Sequence, residues 1–121
     1  MWARYRFAVT FRLEPARDVS VDPDTFETSL SRAADEPGEP GWRFFRDNLW
    51  RGELADPPHF SALTAEALGV TVLSVEYRAF ETDEEYRRAL GDAIRDDLAS
   101  FKDDSVDGVL NKYFGSTVEV R

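Results

Sequence analysis

From Ala3 to Leu13 the residues Ala3, Tyr5, Phe7, Val9, Phe11 and Leu13 alternate with Arg4, Arg6, Ala8, Thr10 and Arg12. A period of two marks a strand with one buried face, here with arginines on the other. Val70 to Phe80 repeats the pattern, setting Leu73, Val75 and Tyr77 against Ser74, Glu76 and Arg78. The period then lengthens. Thr82-Asp-Glu-Glu85 reads as a capping box, and the apolar stripe Tyr86, Leu90, Ile94, Leu98, Phe101 behind it predicts the best-marked helix. A shorter helix is expected over Phe60 to Leu68, with Leu63, Ala67 and Leu68 on one side and Gly69 as its stop. Another runs from Ser105 to Phe114 on Val106, Val109, Leu110 and Tyr113, stops at Gly115, and leads into a closing strand, Thr117 to Val120.

Residues 24 to 34 fit two patterns. Phe26, Leu30 and Ala33 have helical spacing behind Asp22-Pro23, whereas Phe26, Thr28 and Leu30 alternate with Glu27, Ser29 and Ser31. Serine and threonine are weak helix formers, which decides for a strand and a hairpin with the first one. After the turn-rich connector Asp35 to Gly41, the β-prone Trp42-Arg-Phe-Phe predicts extended chain, and Asp47 can cap a short helical turn through Leu49 and Trp50 that ends at Gly52. Together these elements predict one α+β domain with two layers, a largely antiparallel sheet of four to five strands carrying helices on one face. A ferredoxin-like βαββαβ order follows instead if residues 24 to 34 are helical and Trp42 to Arg46 is the second strand.

Composition adds a solvent. The chain of 121 residues carries 24 acidic against 15 basic residues, a net charge of -9, with 13 arginines, two lysines and a single isoleucine, Ile94. Short carboxylates present hydrated charge on little apolar surface, and lysine's long stem is nearly absent. In molar salt the Debye length shrinks to about 3 Å, so repulsion among many carboxylates costs little. We read this as a halophile's surface, although GC-rich coding also favours Arg over Lys. Residues 52 to 121 hold most of the negative charge, with 15 acids against seven bases. No apolar run approaches the roughly 20 residues of a membrane span, and arginines interrupt the amino-terminal segment, which points to a cytoplasmic protein without membrane contact. The lack of cysteine excludes disulfides, thiolate metal sites and a thiol nucleophile.

Against that background Trp42 to Glu53, W-R-F-F-R-D-N-L-W-R-G-E, is exceptional in packing two tryptophans, two phenylalanines and three arginines into twelve residues. Aromatic and arginine side chains dominate binding hot spots, so Trp42, Arg46, Trp50, Arg51 and Glu53 are the candidate binding residues. The tripeptide Leu49-Trp50-Arg51, with the acidic composition and the closing K-Y-F-G-S-T-V-E-V, resembles the LWR-salt proteins, a family of small haloarchaeal proteins. The resemblance implies a saline habitat and carries over no catalytic residue.

Two readings of the segment compete: core aromatics with Arg46 and Arg51 bridged to Asp47 and Glu53, or a patch that Trp50 anchors and in which Arg51 grips a carboxylate or phosphate. A second candidate surface is the sheet face left open by the helices, lined by Arg4, Arg6, Arg12, Glu76 and Arg78. Its aromatics alternate with the arginines and should point inward, which argues against nucleic-acid recognition by stacking. His59, beside Asp56, reads as an exposed loop residue; the pairs Glu84-Glu85, Asp96-Asp97 and Asp103-Asp104 match no metal-binding loop. Neither a catalytic residue, a cofactor nor a metal is expected. The best-supported expectation is a non-enzymatic interaction domain that binds a protein partner or forms a homodimer through the LWR segment or the open sheet face. Its rivals are a site for a small anionic ligand around Arg46, Arg51 and Glu53, and nucleic-acid binding by the first strand's arginines.

Overall fold

The computed structural model describes residues 1–15 and 17–121. Its main sheet is built from β1 (Ala3–Arg12), β2 (Thr25–Ala33), β5 (Thr71–Thr82) and β6 (Val118–Val120), in the order β2-β1-β5-β6. The first three strands are antiparallel, and β6 runs parallel to the end of β5. A two-stranded ribbon, β3 (Leu49–Trp50) with β4 (Glu53–Leu54), lies between the short helix α1 (Phe44–Asn48) and α2 (Pro57–Leu68). Helices α3 (Glu84–Arg95) and α4 (Val106–Phe114), with a 3-10 turn at Leu98–Phe101 between them, connect β5 to β6. The fold is α+β.

The hairpin reading of residues 24 to 34 holds, and the ferredoxin-like order does not occur. Tyr5, Phe7 and Val9 are buried beneath the helices as alternation requires. Leu13 falls outside β1 and is exposed. Strict alternation fails on β5. Two register shifts against β1, where Arg78 and Leu73 are the extra residues, pair Phe7 with Tyr77, Val9 with Val75, and Phe11 with Val72. Val72 therefore takes the inward place expected for Leu73, which is left exposed, while Phe80 faces the core and Glu81 the opposite face.

Trp42 to Arg46 is not a strand. Trp42, Phe45 and Leu49, three and four residues apart, are all buried, a helical spacing that alternation could not produce. Phe45 stacks on Phe101 at 5.6 Å and meets Phe114 at 4.9 Å, so packing against α4 and the 3-10 turn overrides the β-propensity of the segment. Asp47 caps nothing, since α1 begins after Arg43, and Leu49-Trp50 is extended ribbon rather than a helical turn.

Helix α2 begins earlier than expected, with Pro57 and Pro58 in its first turn and Asp56 as its cap, so His59 is an exposed helical residue. Its buried contact is Thr64 with half-buried Phe60, which leaves Leu63 and Leu68 at 49% and 42% exposure. At α3 the cap is Asp83 rather than Thr82. Asp83 Oδ1 accepts the Tyr86 N–H at 2.8 Å, while the Thr82 hydroxyl donates to the Trp2 and Asp83 carbonyls. The Tyr86 amide and the amino terminus hold the Asp83 carboxyl below its usual range. Ser105 caps α4, its hydroxyl accepting the Gly108 N–H at 3.0 Å.

Candidate functional site

The ribbon turns through Trp50-Arg51-Gly52-Glu53, with Leu49 opposite Leu54 and Trp50 opposite Glu53. Both central residues have positive φ, 53° at Arg51 and 82° at Gly52, the signature of a type I′ hairpin turn. That turn favours Asn-Gly, whereas an arginine at its first central position carries roughly 1–2 kcal/mol of backbone strain. The conformation is held from outside. Arg51 N–H donates to the Lys112 carbonyl at 2.8 Å and Gly52 N–H to the Tyr113 carbonyl at 2.9 Å, so the turn satisfies two carbonyls that the end of α4 leaves without helical donors.

The two backbones interlock so closely that side chains are excluded. A Cβ on Gly52 would sit 2.9 Å from the Phe114 carbonyl oxygen, and one on Gly115 would sit 3.1 Å from that of Arg51. Leu-Trp-Arg-Gly and Tyr-Phe-Gly, some sixty residues apart in the chain, thus form one joint. Within it Leu49 points into the core. Trp50 is 47% exposed, with its edge against Tyr113 at 6.1 Å and the Arg51 guanidinium 5.6 Å above its ring. A shallow open depression beside them is lined by Asp103, Asn111 and Lys112. Lys112 is occupied there, since its Nζ donates to the Phe101 and Lys102 carbonyls and lies 3.3 Å from Asp103.

The remaining candidates of the segment lie elsewhere. Trp42 is 5% exposed, packed on Phe45 and Phe101 beneath Arg43, and offers no surface. Arg46 pairs with its neighbour Asp47 at 3.0 Å, while Glu53 lines a separate depression with Glu76, Tyr77 and Arg78. Arg51 lines the depression with Asp103 and Lys112, and Glu53 the one with Glu76 and Arg78. Among the described residues no cluster of three His, Asp or Glu could hold a metal, and no helix is long and apolar enough to cross a membrane.

The open sheet face divides as well. Arg78 pairs with Glu76 at 2.9 Å, and Arg12 lies opposite Thr71 at the far end of β1. Arg4 and Arg6 converge on Glu81, which the shift at Arg78 delivers to this face. Its Oε1 lies 3.1 Å from Arg4 Nε and 3.4 Å from Arg6 Nε, and its Oε2 lies 2.6 Å from the Arg121 guanidinium. Three guanidiniums cover the carboxylate so fully that Glu81 is 2% exposed. Arg6 Nε is buried and poorly aligned, within ion-pair distance of Glu81 but without a hydrogen bond. Glu81 and Arg121 escape the sequence reading because unbroken alternation would aim Glu81 at the core.

A protein-family model described as LWR-salt protein matches residues 1–121, the whole chain. The chain belongs to the LWR-salt family. No curated protein and no solved structure matches it. In this LWR-salt chain the tripeptide Leu49-Trp50-Arg51 is divided by structure: Leu49 belongs to the core, and Trp50 and Arg51 form a surface knob on a backbone fixed by α4.

Proposed function

We propose that this LWR-salt chain is a non-enzymatic interaction domain of a haloarchaeal cytoplasm, and that it binds a protein partner through Trp50 and Arg51. The observation that carries the reading is a half-exposed tryptophan, topped by an arginine in a strained backbone conformation, on a rigid turn. Strain of this kind persists where surrounding structure over-determines it, and it concentrates at sites of function. Molar salt favours such a device. With a Debye length of about 3 Å long-range attraction is lost, whereas a desolvated aromatic contact and a bidentate arginine grip act at contact range. The partner surface that fits is a carboxylate set beside an apolar patch. On the open face, by contrast, Arg4, Arg6 and Arg121 already face Glu81 and Glu119, which supports a self-contained network there rather than a platform for nucleic acid.

The test separates folding from binding. Trp50→Ala removes a side chain already half in water and is expected to lower stability by only about 1 kcal/mol. Arg51→Gly relieves the positive φ and is expected to raise stability by about 1 kcal/mol. Both variants, immobilised in molar KCl, should lose a protein that the unaltered chain captures from its host's lysate. If both retain the same captured protein, or if either unfolds, the knob is structural and the reading fails.

The saline setting has its own check. The urea midpoint should fall steadily as KCl is diluted from molar to about 0.1 M, where the Debye length reaches about 10 Å and carboxylate repulsion is less screened. A midpoint independent of salt would remove the halophilic part of the proposal.

A further inference from the structure

β2 is an edge strand whose free side no other described strand covers. Edges of this kind are ordinarily protected by proline, lysine, a bulge or brevity. β2 has no proline, lysine or bulge and runs nine residues as T-F-E-T-S-L-S-R-A, in unbroken register with β1; its charged residues are Glu27 and Arg32. Leu13 N–H donates to the Asp24 carbonyl and Ala34 N–H to the Ala3 carbonyl, so even-numbered residues direct their backbone groups to β1. The amides and carbonyls of Thr25, Glu27, Ser29, Ser31 and Ala33 consequently point outward along the free edge.

We propose that a second copy of this chain occupies that edge, pairing β2 with β2 in antiparallel fashion about a two-fold axis at Thr28, to give one continuous eight-stranded sheet. The axis must lie on a residue so that buried face adjoins buried face, because a one-residue slip would reverse every side chain. Centring on Thr28 sets Phe26 opposite the other copy's Leu30, and Asp24 opposite its Arg32, twice over, all on the helix-covered face. In the single chain the Arg32 guanidinium lies 4.4 Å above the Phe44 ring and Phe26 stacks on Phe11, yet none of the four is fully partnered. Phe26 and Leu30 are only half buried, and neither Asp24 nor Arg32 has an ion-pair partner among the described residues. Beside Leu30 an apolar groove of about 240 Å³ runs to Phe44, Phe60, Leu63 and Leu68, and the exposed leucines of α2 rim it. The second copy's Phe26 and Leu30 would arrive along this rim. The surface is separate from the Trp50 turn, so this inference stands or falls independently of the partner reading.

The chain has no cysteine, which makes the register directly measurable. Thr28 faces its own copy as a non-hydrogen-bonded pair with Cα atoms about 4.5 Å apart, within disulfide reach. Position 29 meets its copy only diagonally, at about 7–8 Å. Under mild oxidation in molar KCl, Thr28→Cys should cross-link into a covalent dimer and Ser29→Cys at least tenfold less. The unaltered chain should sediment as a dimer at tens of micromolar. Arg32→Asp, which opposes two aspartates, should weaken dimerisation at least tenfold, and the double variant Asp24→Arg with Arg32→Asp should restore it. A chain that sediments as a monomer at 100 µM, equal cross-linking at 28 and 29, or a charge swap that fails to restore the dimer would each overturn the proposal.

Discussion

Gly52→Ala is expected to destabilise the fold by about 3 kcal/mol, lowering the melting temperature of a domain this size by roughly 10 °C or more. The methyl group would meet the Phe114 carbonyl oxygen at 2.9 Å, closer than Cβ atoms approach in real structures, and the obstacle is backbone that cannot swing aside. Relief requires the turn to lift from α4, which breaks the donations from Arg51 and Gly52 to the Lys112 and Tyr113 carbonyls. Each such bond contributes about 1 kcal/mol, and the positive φ adds its own cost once the glycine is gone. Gly69→Ala is the control. Gly69 also has positive φ, 70°, at the end of α2, but a Cβ there meets nothing within 4 Å, so its loss should stay near 1 kcal/mol. Thermal melts of the two variants in the same molar salt check the difference. Equal losses would show that conformational preference alone matters and that the joint contributes nothing.

Glu81→Ala is expected to cost about 2 kcal/mol, less than the 3–5 kcal/mol typical of a fully buried ion pair because the guanidiniums of Arg4, Arg6 and Arg121 remain partly in water. The substitution leaves three cations grouped with, among the described residues, Glu119 as the remaining carboxylate partner of Arg6 and Arg121, and Arg6 Nε is already buried without a hydrogen bond. Glu81→Gln keeps the shape and removes the charge, so it should recover no more than half of the loss. Urea titrations at constant slope provide the measurement. If Glu81→Ala changes stability by less than 0.5 kcal/mol, the arginines are held by the sheet and not by the carboxylate.

Much of the fold is legible in the chain because one period dominates each long element. The buried face of β1 and the Tyr86, Leu90 and Ile94 stripe of α3 follow from local chemistry alone, whereas Leu98 and Phe101, expected in the same helix, fall in the 3-10 turn beyond it. The errors lie where distant contacts decide. β-prone Trp42-Arg-Phe-Phe winds into a helix because Phe45 packs against Phe101 and Phe114, more than fifty residues away. The phase of β5 reverses at shifts created by its pairing with β1, which no pattern within β5 announces. For the same reason Glu81 and Arg121 stay hidden while Arg4 and Arg6 are evident. The candidate segment was conspicuous from composition, but its division into buried Trp42 and Leu49 and exposed Trp50 depends on where α4 ends.

The joint between the turn and α4 uses main-chain atoms for its hydrogen bonds and glycines for its clearance. Lys112 and Tyr113 contribute carbonyls that any residue would supply, and position 50 contributes no atom to the lock. The positions that hold the joint are therefore not the position proposed to bind a partner. Leu49, Gly52 and Gly115 bear the constraint of the fold, whereas position 50 touches it only through the edge contact of Trp50 with Tyr113. Under the proposed partner reading, a lineage carrying this joint would alter what it recognises by a substitution at a position that makes none of the joint's backbone hydrogen bonds.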